Sequence, residues 1–148
     1  MRRFAFRLQS ILDLRSKQAD QLRLELGAAA QRCRQLQREI DDRLQRRSTL
    51  LRDSLAGGID LAARMAVASY AERLSRDAEG LRKELQVAEQ ERERAAEAYR
   101  AARQKADVLE RLRERREAQH REGERRHEQR QLDELAQRGT DQAVRGEA

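Results

Sequence analysis

Apolar residues along this chain recur in alternating steps of three and four. Leu8, Leu12, Ala19, Leu22, Leu26, Ala29, Cys33, Leu36 and Ile40 keep that rhythm, with Arg15 its one polar occupant. The step marks the narrow a/d stripe along which two helices supercoil. After Ile40 the register slips by one residue and continues through Leu44, Leu51 and Leu55, a stutter that changes the local winding. A second run keeps one register throughout: Val67, Ala71, Leu74, Ala78, Leu81, Leu85, Ala88, Ala95, Tyr99, Ala102, Ala106 and Leu109, broken only by Arg92.

Between the two runs lies Gly57-Gly58, followed by Ile59 and Asp60. Glycine inside a helix costs about 1 kcal/mol relative to alanine, so the pair predicts a turn near 57–60, with Asp60 capping the next helix. The pattern predicts helix one over about 4–56, helix two over about 60–138, and a frayed tail over 139–148. Folded at the glycines, facing residues on the two helices have numbers adding up to about 116, since both helices rise equally. Met1 then lies opposite about 115. Beyond Leu109 the register positions of helix two are Arg113, Arg116, His120, Gly123, His127 and Arg130. The apolar stripe stops where the partner helix runs out. The expected fold is all-α: one long two-helix antiparallel coiled coil with a C-terminal helical overhang of about 20–25 residues. Pairing within one chain and a swap between two chains bury the same seam.

Composition agrees with helices and excludes a rounded globule. Charged residues make up 41% of the 148 and aromatics 3%, with no proline or tryptophan; a compact core needs more apolar mass. Disordered chains share the charge but are commonly proline-rich, whereas long helices exclude proline. The net charge of +6 arises from 33 basic residues interleaved with 27 acidic ones, the pattern of solvated helix faces. Four acid-first i,i+4 pairs are expected on those faces: Glu39–Arg43, Asp42–Arg46, Glu72–Arg76 and Glu79–Lys83.

Little here can carry catalysis. There is no phosphate loop, nucleophile elbow or zinc-protease motif, so no enzyme and no cofactor are expected. His120 and His127 are seven apart, where helical metal pairs stand four apart, and read as solvated surface with no metal. Cys33 is alone and on the seam, which makes it a small buried hydrophobe. The stretch 111–130 holds eight arginines against five glutamates, a net of +3, and lacks stacking aromatics, so nucleic acid is not an expected partner. No apolar run approaches the ~20 residues of a membrane span, and no direct membrane insertion is expected. Arg2 and Arg3 have the doublet of a twin-arginine signal, but Arg7, Gln9 and Asp13 interrupt the apolar region it requires. A cytoplasmic location follows.

Two apolar clusters remain. Phe4, Phe6, Leu8, Ile11 and Leu12 exceed what one seam buries, beside a polar overhang too charged to fold alone; that excess points to a protein partner at the terminal end. Near the glycines, Tyr70 precedes the seam residue Ala71, with Leu74 one turn later. This pair either staples the hairpin or docks a second partner.

The opening Arg3-Phe4-Ala5-Phe6-Arg7-Leu8-Gln9-Ser10-Ile11-Leu12 resembles the Phe-x-Phe-x-Leu-x-x-x-Leu start of the FliJ family. A second stretch, Leu109-Glu110-Arg111-Leu112-Arg113 through Arg130-Gln131-Leu132-Asp133-Glu134, is similar to the family's basic helix ending in Leu-Asp-Glu. It departs at Arg130-Gln131, where the family has a lysine close before Leu-Asp-Glu. The resemblance covers nearly the whole chain. It implies a non-catalytic, stalk-like component of the flagellar type III export apparatus, needed for flagellum assembly and motility. The implied partners are the flagellar export ATPase, which it would activate, an export-gate membrane protein on its cytoplasmic side, and export substrate chaperones. The implied location is cytoplasmic, peripheral to the inner face of the membrane at the flagellar base. Carried onto this chain, the ATPase-facing residues are Phe4, Phe6, Leu8, Ile11, Leu12, Leu109, Leu112, Arg113 and Arg116, and the gate-facing residues are Tyr70 and Leu74. The same pattern without the resemblance would describe a generic coiled-coil tether or homodimer.

Overall fold

The computed structural model describes residues 4–58 and 60–146, with side chains described as far as 138. It contains two helices, α1 (Gln9–Ala56, 48 residues) and α2 (Leu61–Gly146, 86 residues), and no strand among the described residues. The helices pack against each other as an α-helical hairpin. The chain forms two compact units, each drawing on both helices: Lys17–Ala102, and Met1–Ser16 with Arg103–Ala148.

In the first unit the seam is built as the spacing requires. Ala19, Cys33, Leu36 and Ile40 of α1 are buried, as are Ala71, Leu74, Ala78 and Ala88 of α2. Cys33, Leu36 and Ala88 form its centre, with Leu81 and Leu85 packed against them. The expected register puts residue 32 opposite 84, and Arg32 donates to Glu84 across the interface at 3.4 Å. Alanine fills much of the α2 stripe. Its methyl lets the backbones come close but removes little surface from water, so the leucines carry most of the hydrophobic stabilisation, about 1.5–3 kcal/mol for each one fully buried.

The seam departs from expectation after the slip. Leu44 and Leu51 are half-buried, but Leu55 is 84% exposed and Ser54 occupies the inward position. The stripe takes a three-residue step from Leu51, because an undistorted α-helix drifts relative to a strict heptad. The Ser54 hydroxyl donates to the Leu51 carbonyl at 2.8 Å, so its inward place leaves no polar group unsatisfied. Arg92, the polar exception on α2, is exposed, and Arg15 on α1 is half-buried.

The turn follows the capping reading. The Ala63 amide donates to the Asp60 carboxylate at 2.8 Å, and the Arg64 amide donates to the Asp60 carbonyl at 3.0 Å. This is an N-cap satisfying an amide of the first helical turn. On the other side, the Gly57 amide donates to the Asp53 carbonyl at 3.1 Å, completing the last turn of α1. No described glycine has a positive φ, and a Cβ at Gly58 would meet nothing within 4 Å. The glycines therefore end α1 by their low helix propensity and not by a left-handed requirement.

Both outer helix ends differ from expectation. Helix one begins at Gln9 instead of Phe4, and the preceding residues form a strap whose last two residues make a turn. In a helix Phe4 and Phe6 would lie about 200° apart and could not share a face. Outside a helix that restriction lifts, and Phe4, Phe6 and Leu8 are all half-buried while Ala5 and Arg7 are exposed. At the other end α2 continues to Gly146, past the boundary expected at 138. No proline intervenes, and isolated glycines cost only about 1 kcal/mol each.

The surface ion pairs are partly exchanged. Asp42–Arg46 (3.0 Å) and Glu72–Arg76 (4.0 Å) form as expected. Arg43 instead meets Asp42 at 3.4 Å, and Glu79 meets Arg82 at 3.2 Å. Exposed pairs of this kind contribute about 0.3–0.5 kcal/mol, so neighbouring partners compete on nearly equal terms.

Gly27 and Gly80 lie inside the helices with open space where a Cβ would stand. Gly27→Ala and Gly80→Ala should each stabilise the hairpin by about 0.5–1 kcal/mol. Leu36→Ala, at the centre of the buried stripe, should cost about 2–5 kcal/mol. Urea unfolding followed by circular dichroism reads both.

Candidate partner-binding site

The second unit, residues Met1–Ser16 with Arg103–Ala148, gathers the terminal cluster. The strap crosses α2 and leaves an open groove of about 1020 Å³. Its walls are Phe4, Phe6 and Leu8 from the strap and Leu112, Arg116 and His120 from α2. The Phe4 and His120 rings meet edge to face, with centroids 5.7 Å apart and planes at 61°. Such a contact contributes about 0.5–1.5 kcal/mol beyond its buried area. At the base of the strap the Gln9 amide donates to the Phe6 carbonyl at 3.1 Å, and the Leu12 amide to the Leu8 carbonyl at 2.9 Å. These bonds lead the chain from strap into helix without a side-chain cap.

The groove combines aromatic and aliphatic side chains with guanidinium charge. Arg7 and Arg116 stand on its rim and are exposed. A separate groove of about 450 Å³ is polar; Gln9, Asp13, Arg113, Glu114 and Glu117 line it over the Leu12 side chain. Gln9 donates to Asp13 there at 2.9 Å. Within the same unit Arg103 bridges Asp107 at 2.9 Å and Glu110 at 3.4 Å.

Of the nine terminal residues singled out from sequence, Phe4, Phe6, Leu8, Leu112 and Arg116 share the first groove, and Leu12 and Arg113 line the second. Leu12 is buried in the seam, so it supports the site and presents little surface. Ile11 is exposed outside both grooves, and Leu109 is half-buried and lines neither. His120 is the residue that sequence reasoning missed at this site. Its position on the stripe, one turn past Arg116, was the available signal, and the strap supplies the partner ring that the spacing of two histidines did not suggest.

Past His120, α2 extends with every described side chain to 138 exposed except the half-buried Glu124. The segment is held by contacts along itself: Glu117–Arg121, Glu122–Arg126, and Gln129 donating to Asp133 at 3.0 Å. Leu132 and Leu135 point to solvent. Among the described residues no group of three or more His, Cys, Asp or Glu side chains could hold a metal.

In the unit Lys17–Ala102, Tyr70 is exposed beside a groove of about 500 Å³ formed with Asp42, Gln45, Arg46, Thr49 and Leu50. Leu74 is different. At 4% exposure it belongs to the seam, so it offers no surface to a partner and only Tyr70 of that pair does.

The family model for the flagellar FliJ protein matches residues 4–145. The chain belongs to the FliJ family. That gives it a role in flagellar export, in a family of helical proteins that are not enzymes. No curated protein and no solved structure matches the chain closely enough to add to this. The family match begins at Phe4, so in this FliJ-family chain it takes in the strap together with the groove that the strap closes. Among the described residues no helix is long and apolar enough to cross a membrane.

His120→Ala removes the ring that Phe4 leans on. Hydrogen exchange of the strap amides should accelerate at least severalfold, while global stability changes by less than about 1.5 kcal/mol.

Proposed function

We propose that this FliJ-family chain is a stalk-like, non-catalytic component of the flagellar export apparatus whose terminal end engages the export ATPase and activates it. The carrying observation is the groove of Phe4, Phe6, Leu8, Leu112 and Arg116, beside a helix whose described side chains from 121 to 138 are exposed except Glu124. Half-buried aromatics with an arginine at the rim are the side chains that dominate protein interfaces. A charged helix with exposed side chains gains little from its own ion pairs, so a protein seated over both would complete the burial that the strap begins.

The reading extends to three further roles. Tyr70 contacts the export gate on its cytoplasmic side, without Leu74. The chain also escorts or recycles export substrate chaperones. It works in the cytoplasm, peripheral to the membrane at the flagellar base. A stalk has to transmit force without bending, and continuous helices free of proline suit that demand. An asymmetric coiled coil inside a ring of ATPase subunits would favour one subunit state at a time and so bias the hydrolysis cycle.

Phe4→Ala with Leu8→Ala should reduce stimulation of ATPase turnover at least fivefold, with helicity by circular dichroism unchanged. Undiminished stimulation would remove the groove from the interface. Tyr70→Ala should weaken binding to the gate's cytoplasmic domain and leave the hairpin's stability within about 1 kcal/mol. Leu74→Ala should cost about 2–5 kcal/mol of stability, as a buried leucine does.

A further inference from the structure

Large apolar side chains stand bare on both sides of the interhelical turn. Leu55 at the end of α1 is 84% exposed, and Leu61 and Met65 at the start of α2 are 75% and 64% exposed. Leu55 and Leu61 are the most exposed large hydrophobics among the described residues. The seam does not use them, since Ser54, Ala63 and Val67 take the half-buried positions there.

The same tip has cations without carboxylate partners. Arg47 and Arg64 form no ion pair among the described residues, and Arg52 donates only to the Thr49 hydroxyl at 3.5 Å. Of the two nearby acids, Asp60 is engaged in capping α2. From Arg46 to Met65 the chain carries four arginines and two aspartates, a net of +2.

We propose that the hairpin tip docks on an anionic lipid surface. The occupant has to offer hydrocarbon for three exposed apolar side chains and negative charge for the arginines that neighbour them in sequence. An anionic bilayer presents both in the right order, with phosphates outside and acyl chains beneath. The tip is a protrusion: its apolar side chains line none of the grooves described above, as a wedge for the headgroup boundary should. Long arginine side chains reach sideways to headgroups while the leucines enter. Interfacial contact of this depth needs no spanning helix. The inference rests on the membrane-peripheral location proposed above and stands apart from the gate reading, which rests on Tyr70.

The test is co-sedimentation of the full chain with vesicles of phosphatidylglycerol mixed with phosphatidylcholine, and with phosphatidylcholine alone. The expected result is binding to the anionic vesicles only, weakening with salt. Leu55→Ser, Leu61→Ser and Met65→Ser together keep every charge, and should lower partitioning at least about tenfold. Arg47→Gln, Arg52→Gln and Arg64→Gln should each lower it about fivefold. Circular dichroism confirms that each variant remains helical. Leu132→Ser with Leu135→Ser, on the exposed part of α2, should change nothing. Tyr70→Ala should retain vesicle binding even where gate binding is lost. Absence of vesicle binding would overturn the proposal. So would equal binding to phosphatidylcholine, or full binding by the triple serine variant. Capture of the tip by the gate's cytoplasmic domain through Leu55, Leu61 and Met65, with vesicles ignored, would overturn it in favour of a protein partner.

Discussion

A narrow apolar stripe is the constraint on which the rest of the molecule depends. With 41% charged residues, neither helix can hold itself in water over its length, and each needs the other's stripe. Leucines supply the burial and alanines supply close approach. The centre at Cys33, Leu36, Leu81, Leu85 and Ala88 shows both at work. The polar surface adds small increments through ion pairs that exchange partners readily. The register of the two helices follows from this pairing.

The candidate partner site is what happens when the stripe is exhausted. After Leu109 the stripe positions of α2 become arginine and histidine, and α1 has no further turns to offer. The chain responds by leaving the helix. The non-helical strap brings Phe4, Phe6 and Leu8 against α2, and Phe4 finds the His120 ring. A groove with aromatic walls and a cationic rim results, next to a helix whose described side chains past His120 are nearly all exposed. The FliJ-family role in export gives that surface a biological setting, and the proposed binding role rests on its local geometry.

Much of this was legible in the sequence. The three-and-four spacing placed both stripes, the expected facing numbers put 32 opposite 84, and Asp60 was identified as the cap. The departures have physical causes. Helical spacing does not reach back to residue 4, because Phe-x-Phe-x-Leu repeats with a period of two and no helix gives those side chains one face. Leu55 was placed on a seam that by then had drifted to Ser54. Leu74 was assigned both to the stripe and to a docking patch, and burial allows only the first. The strap's use of His120 could not be read from spacing, because it depends on a contact between segments distant in sequence.

The pairing register is open to a direct measurement. With Cys33→Ser as background, cysteines placed at Arg32 and Glu84 should form a disulfide efficiently under mild oxidation, either within one chain or between two swapped chains. Cysteines at Arg32 and Ala98 should not. Failure of the 32–84 pair to crosslink in any species, with the mismatched pair reacting instead, would contradict the antiparallel register from which the account is built.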